Sequence, residues 1–95
     1  MNIEEIKKKT IDTLARNDVE FAGIFGSHAR GEAKDDSDVD ILVRFAKPVS
    51  LLSMGGLQMD LSEALKKRVD VVTEDSLHPR IKKNILGDLK IIYER

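Results

Sequence analysis

The sequence has no cysteine and no long apolar run, and each absence excludes a class of protein. Without cysteine, a disulfide framework and a thiolate metal site are both excluded. No apolar run approaches the ~20 residues that a membrane-spanning helix needs. The charged first residues, 1–5, lack the apolar stretch of a signal peptide. A formal net charge of −1 gives no general attraction to nucleic acid. We therefore expect a cytoplasmic protein that neither enters a membrane nor binds nucleic acid directly.

The composition that remains is typical of a globular domain, with 41% apolar and 35% charged residues. No linker rich in proline or glycine divides the 95 residues, so the sequence predicts one domain, residues 1–95. A chain of this size buries roughly 60–70% of its unfolded surface, which is enough for a two-layer fold. Lysine clusters at residues 7–9 and 66–68 have acidic neighbours, and we interpret them as solvated helix faces.

Apolar spacing and turn residues predict alternating helices and strands. Helices are predicted over residues 3–16, over 27–30, from Ser50 to about Lys67, and from Ser76 or Pro79 to about Gly87. Strands are predicted over residues 19–25, 38–45, 69–72 and 89–93. The glycine pair Gly55 and Gly56 weakens the long helix by about 1 kcal/mol per glycine, which leaves a bend or break open. This order predicts an α/β or α+β fold, with one mixed sheet of about four strands packed against helices.

Two aspartates, Asp38 and Asp40, lie one residue apart at the start of the second strand. Alternate residues of a strand point to the same face, so the two carboxylates should project together. Like charges held this close repel each other unless a cation or a proton relieves them. Asp70 interrupts the third strand, where a buried charge is unfavourable without a partner. If the two strands are neighbours, Asp70 converges on the pair. The structural alternatives are that Asp38 and Asp40 are only turn residues at the start of a strand, and that Asp70 forms a salt bridge.

Carboxylates that meet at one point suit Mg²⁺, which also accepts phosphate oxygens as ligands. The turn about ten residues earlier supplies the matching donors. Gly26 lets the backbone approach a phosphate, and the Ser27 hydroxyl and amide can donate to its oxygens. Arg30 can add a fork of donors to the same anion. Together these residues predict nucleotide chemistry, whereas each alone is more typical of an ordinary turn or surface. We interpret His28, between them, as a surface residue.

The combined pattern resembles the signature of the minimal nucleotidyltransferases, within the DNA polymerase beta-like nucleotidyltransferase superfamily. It consists of residues 26–34 (GSHARGEAK), residues 37–40 (SDVD) and Asp70. The resemblance covers nearly the whole chain, and it implies a mixed sheet flanked by helices, two Mg²⁺ ions and transfer of a nucleoside monophosphate, AMP from ATP. Lys34 departs from the pattern, since a second arginine is frequent there, and bidentate geometry is lost.

The resemblance also assigns roles to individual residues. Asp38 and Asp40 are implied to bind both metals, and Asp70 to complete the metal site and help activate the acceptor hydroxyl as a ligand or general base. Gly26 and Ser27 are implied to hold the phosphates that leave as pyrophosphate.

Small members of this family are often antitoxins paired with a HEPN-domain toxin, and the resemblance implies an enzyme that transfers AMP to a toxin tyrosine. Two alternatives stay open: a non-catalytic antitoxin that captures its toxin sterically, and the catalytic subunit of a two-chain transferase acting on a small molecule or RNA. The sequence leaves open the base preference, the acceptor, the number of nucleotides added and whether the oligomer is homomeric or heteromeric. We interpret Met54, Leu57, Met59 and Leu61 mainly as core, with some exposure near Gly55 where a partner could dock.

Overall fold

The computed structural model describes residues 1–95 and contains one four-stranded sheet with helices against it. The elements in chain order are α1 (Ile3–Arg16), β1 (Val19–Phe25), α2 (Ser27–Arg30), β2 (Val39–Phe45), α3 (Leu51–Leu65), β3 (Val69–Thr73), a 3₁₀ turn (Glu74–Ser76), α4 (Pro79–Asp88) and β4 (Lys90–Glu94). The strand order is β3-β2-β1-β4; β2 and β3 are parallel, and β1 is antiparallel to both β2 and β4. The predicted mixed sheet is confirmed. None of the helices has the length and apolar character needed to cross a membrane.

Local capping residues set the helix ends much as the sequence predicts. The Asn2 side chain accepts a hydrogen bond from the Glu5 N–H at 2.8 Å, which caps α1. The Ser50 hydroxyl accepts from the Ser53 N–H at 3.1 Å and caps α3. At its other end α3 stops at Leu65, two residues before the predicted end, because Lys66 adopts a left-handed conformation with φ +55°.

The core lies between one face of the sheet and the helices α1 and α3. It combines alternate residues of the strands with the inward faces of both helices: Ile6, Leu14, Val19, Ala22, Ile24, Val39, Ile41, Val43, Leu57, Leu61, Leu65, Val69 and Ile92. The helix α3 runs unbroken past Gly55 and Gly56, so the bend that the sequence left open does not occur. Met59 is 74% exposed, which makes its interpretation as a core residue wrong.

The parallel pairing of β2 with β3 positions the start of both strands at the same end of the sheet. Pairing begins where the Val39 N–H donates to the Arg68 carbonyl oxygen at 2.9 Å. This bond explains why β2 starts at Val39 and leaves Asp38 just outside the strand. Because α3 carries the chain back along the sheet, β3 starts at the same end of the sheet as β2, with Asp70 beside Asp40.

Candidate active site

Two of the predicted carboxylates are direct neighbours in the sheet. Asp40 and Asp70 are paired positions of the parallel strands β2 and β3, so their side chains leave the sheet on the same face. Neither carboxylate is among the ion pairs of the chain, which excludes the salt bridge considered for Asp70. The site therefore contains two adjacent acidic groups without a basic partner.

Asp38 lies close to this pair but is directed toward another residue. Its Oδ2 is 3.8 Å from Nε of Arg68, whose side chain is 77% exposed. No three carboxylate, histidine or cysteine side chains are near enough together to hold one metal ion in this arrangement. An ion pair this exposed contributes only about 0–1 kcal/mol, so little free energy opposes rotation of Asp38 toward Asp40. The predicted meeting of three carboxylates thus requires a side-chain rotation at Asp38.

The surroundings of Asp40 disfavour the ionised form of its carboxyl group. Partial burial raises the pKa of this carboxyl group above its ordinary value of 3.8, and the negative charges of Asp70 and then Asp38 raise it further. Electrostatic interactions with His28 and Arg30 lower the pKa of Asp40, but they do not outweigh these effects. A divalent cation at this place would relieve the repulsion directly, so the donor set fits Mg²⁺, which binds carboxylate oxygens.

The raised pKa of Asp40 predicts that this residue destabilises the metal-free fold at neutral pH. The folded chain binds this proton more tightly than the unfolded chain does. The free energy of unfolding therefore falls as pH rises from about 4 through the raised pKa, and it stays lower above that range. We expect Asp40→Asn to raise the melting temperature at pH 7 in EDTA by ~2–6 °C. Thermal unfolding monitored by circular dichroism measures this, and an unchanged or lower melting temperature would contradict the electrostatic account.

The turn between β1 and α2 lies directly against Asp40. Gly26 has φ +76°, a conformation that favours glycine, and a Cβ atom at this position would collide with Oδ2 of Asp40. No side chain caps the first turn of α2, which starts at Ser27. Its first backbone N–H groups therefore lack a side-chain acceptor within the chain. The structure thus brings the predicted glycine and serine next to the carboxylates.

The buried position of His28 corrects its interpretation as a surface residue. The residue is only 7% exposed, and its Nε2 lies 3.3 Å from the carbonyl oxygen of Ser37. A carbonyl can only accept, so Nε2 carries the proton, and Nδ1 is left buried without a partner. The Ser37 hydroxyl in turn accepts from the Lys34 N–H at 2.8 Å. His28 therefore ties the turn of α2 to the loop that leads into Asp38, a link across nine residues that no local sequence pattern indicates.

This buried hydrogen bond predicts a measurable stability effect. We expect His28→Leu to lower the free energy of unfolding by ~1–2 kcal/mol, because the Ser37 carbonyl loses its donor. We expect His28→Gln to recover most of this loss, since the glutamine amide can place a donor near the position of Nε2. Urea unfolding of the three proteins measures both differences. Equal stability of wild type and His28→Leu would show that the bond contributes nothing.

The side chain of Arg30 forms its hydrogen bonds away from the Gly26 turn. Its Nη1 donates to Oδ2 of Asp88 at 2.7 Å, and its Nε donates to Oε1 of Glu32 at 2.9 Å. These hydrogen bonds, first to Asp88 and then to Glu32, raise the pKa of the guanidinium. Arg30 therefore connects α2 to the end of α4. Its role in binding phosphate stays a prediction, because Arg30 would have to leave Asp88 or Glu32 to bind a phosphate.

Two grooves of similar volume, about 520 and 530 Å³, contain none of the predicted site residues. The first lies at the opposite ends of β2 and β3, where residues 43–49 and 73–75 meet Met54. The carboxylates thus lie outside both grooves, at an open end of the sheet, where a large acceptor can reach them.

Comparison with known proteins identifies the family of this chain and several similar proteins. The family described as "Polymerase beta, Nucleotidyltransferase" matches residues 8–95. A candidate protein adenylyltransferase of Methanocaldococcus jannaschii is 50% identical over 88 residues, which cover 93% of this chain and 95% of that protein. The protein adenylyltransferase MntA of Thermococcus cleftensis is 49% identical over 67 residues, covering 70% and 68% of the two chains.

A solved structure extends the similarity to the fold. The crystal structure of a toxin–antitoxin complex with AMP-PNP contains a chain that superimposes with a TM-score of 0.81 at 25% identity. The match covers 94% of this chain and 73% of that chain. Chains of similar length and fold therefore include named adenylyltransferases and a member of a nucleotide-bound toxin–antitoxin complex.

Proposed function

The chain belongs to the polymerase beta nucleotidyltransferase family, and from this premise we propose that it transfers AMP from ATP to a HEPN-type toxin. The acceptor is a hydroxyl group, in our proposal that of a toxin tyrosine, and the transfer makes this protein the antitoxin. One observation carries the proposal: Asp40 lies in register with Asp70 and in contact with the Gly26 turn. ATP and Mg²⁺ are both available in the cytoplasm, where we place the reaction.

The proposed roles follow from position and charge. Asp38 and Asp40 would hold Mg²⁺, with Asp70 as a further ligand or as the general base. Bound Mg²⁺ supplies positive charge that offsets the triphosphate and the leaving pyrophosphate. Gly26 permits the backbone to approach the β- and γ-phosphates, and Ser27 donates to them from its N–H and hydroxyl groups. This arrangement positions the α-phosphate near the acceptor oxygen, which is the main contribution that proteins make to phosphoryl-type transfer.

The transfer step needs no reactant besides ATP and the acceptor hydroxyl. The acceptor oxygen forms a bond to the α-phosphorus, and the bond from that phosphorus to the bridging oxygen of the β-phosphate breaks. Pyrophosphate leaves, and Asp70 acting as base takes the proton of the acceptor hydroxyl.

A protein acceptor is supported by the relatives and by the openness of the site. Two similar proteins are named as adenylyltransferases of proteins, and a similar fold occurs in a toxin–antitoxin complex with a nucleotide analogue. The carboxylates lie at an end of the sheet outside both of these grooves, so a hydroxyl on the surface of a folded partner can approach them.

Labelled ATP tests the proposed reaction. The purified protein is incubated with its toxin and Mg²⁺, once with ATP labelled at the α-phosphate and once with ATP labelled at the γ-phosphate. We expect label on the toxin from the first donor only, because pyrophosphate carries the γ-phosphate away. Label from the γ-donor would identify a kinase. Neutralisation of the toxin without any label would instead support steric capture.

A further inference from the structure

The outer face of α3 exposes large apolar side chains between Leu51 and Met59, although it has no neighbour in the chain. Leu51, Leu52 and Met59 are 86%, 87% and 74% exposed. No charged residue occurs between Lys47 and Asp60, in a sequence of which 35% is charged. The inner face of the same helix is also apolar, since Leu57 and Leu61 belong to the core. Exposed apolar side chains that lie together on a surface are typical of interaction sites, which indicates that something covers this part of the outer face.

The two glycines of α3 point to the same conclusion. A Cβ atom on Gly55 or Gly56 would meet nothing within 4 Å, so no contact inside the chain requires either glycine. Glycine in a helix interior is less favourable than alanine, and two in succession weaken the helix. Glycines at such positions allow the close approach of another backbone. Here that backbone must come from outside the chain.

We propose that a second copy of this chain covers the α3 stripe, defined as Leu52, Gly55, Gly56 and Met59, in an antiparallel two-fold dimer. The four residues follow the spacing i, i+3, i+4, i+7 and therefore lie on one helix face. A two-fold interface requires a patch that is complementary to itself. The stripe meets this condition, because Leu52 and Met59 are equally far from its midpoint. Leu52 then lies opposite Met59 of the second copy, and Gly55 opposite Gly56.

The charges around the stripe select the antiparallel direction. Lys47 precedes the helix, is 68% exposed and forms an ion pair with Asp18 at 3.5 Å, and the helix N-terminus carries partial positive charge. Asp60 and Glu63 are exposed on the other half of the helix. Antiparallel packing brings the positive end of each helix to the acidic half of its partner. Parallel packing would instead bring the acidic residues of both copies together.

The dimer is compatible with the proposed function but does not depend on it. The outer face of α3 contains none of the site residues, because Asp40 and Gly26 come from β2 and the turn after β1. Antiparallel packing directs the two sites toward opposite ends of the assembly. Each site therefore stays open to its own acceptor.

Analytical ultracentrifugation tests the dimer on the complete chain without any toxin. Across protein concentrations from about 1 µM to about 1 mM, we expect a reversible monomer–dimer equilibrium, because a stripe of four residues, two of them glycine, buries little surface. We expect Leu52→Glu to raise the dissociation constant at least ~30-fold, because it buries a charge against Met59 of the second copy. Ile81→Glu is the matched control, since Ile81 is 53% exposed on α4 and outside the stripe. The control should leave the equilibrium unchanged.

A second variant separates an interface from ordinary helix propensity. Gly56→Ala should stabilise the isolated helix but hold the two helices apart, so we expect a higher melting temperature of the monomer together with a dissociation constant raised ~10-fold. The absence of native cysteine allows a direct test of direction. An equimolar mixture of Leu52→Cys and Met59→Cys should form disulfide dimers more readily than either variant alone.

Three results would overturn the proposal. The first is a wild-type chain that sediments as a monomer at every concentration. The second is a Leu52→Glu variant that is as dimeric as wild type, and the third is equal cross-linking of the single variants and the mixture. A monomeric wild type whose Leu52→Glu variant no longer binds the toxin would assign the stripe to the toxin instead.

Discussion

Asp40→Asn is expected to lower the rate of AMP transfer by at least ~1,000-fold, equivalent to about 4 kcal/mol of transition-state stabilisation. The substitution keeps the size of the side chain but removes the charge that would hold Mg²⁺ next to Asp70. Initial rates at saturating ATP and Mg²⁺ measure the loss. The same variant is expected to be more stable than wild type without metal, because it relieves a repulsion between acidic groups. Lost activity together with gained stability is typical of a charged functional site.

An exposed aspartate in the same segment serves as the control. Asp36 is exposed in the turn that precedes Asp38, so Asp36→Asn also removes one negative charge but leaves the site intact. We expect the Asp36→Asn variant to transfer AMP within about 2-fold of wild type, since surface charges act weakly through solvent. An Asp40→Asn protein that keeps a tenth or more of wild-type activity would show that the carboxylate pair is not the reacting centre.

Gly26→Ala is expected to have the second largest effect, a loss of ~100–1,000-fold in transfer. Alanine is strained at φ +76°, and its Cβ collides with the Asp40 carboxylate. Both the Gly26 turn and the Asp40 side chain must therefore shift from their positions. We also expect the free energy of unfolding to fall by ~1–3 kcal/mol, measured by urea unfolding alongside the transfer rate.

Gly31 offers a matched control for Gly26. It has φ +72°, yet a Cβ atom there would meet nothing within 4 Å. Gly31 has ψ +20°, in the left-handed helical region, whereas Gly26 has ψ −152°, so Gly31→Ala carries a milder backbone strain and no collision. We expect it to be destabilised by ~1 kcal/mol and to transfer AMP within ~3-fold of wild type. If both alanine variants lose transfer equally, backbone strain and not contact with Asp40 explains the effect of Gly26→Ala.

Local sequence patterns predicted most of the fold because the relevant signals lie within single elements. Asn17 and Asp18 mark the end of α1, Ser50 caps α3, and the apolar run after Asp38 forms β2. Strand ends were less accurate. The pairing that starts β2 at Val39 depends on the backbone of Arg68, a residue far away in sequence.

The sequence indicated a set of candidate residues but not their geometry. The motif singles out Asp38, Asp40 and Asp70 as candidates, whereas the register of Asp40 with Asp70 arises from a crossover through α3. The engagement of Arg30 by Asp88 also joins residues far apart in sequence. The interpretation of His28 as a surface residue was wrong because its hydrogen-bond partner lies in a loop. In a loop, neither helical nor strand periodicity indicates which residues are buried. Met59 was misread because apolar residues on the outer face of α3 cannot be distinguished by composition from those facing the core.

The intact mass of the toxin, after incubation with this protein, ATP and Mg²⁺, tests the central claim most directly. The account predicts that the toxin gains the mass of one adenylyl group or a small multiple of it, on a tyrosine identified by peptide mapping. It also predicts no gain with the Asp40→Asn protein. A toxin that is neutralised at unchanged mass, or modified equally by the Asp40→Asn protein, would contradict the assignment of this site.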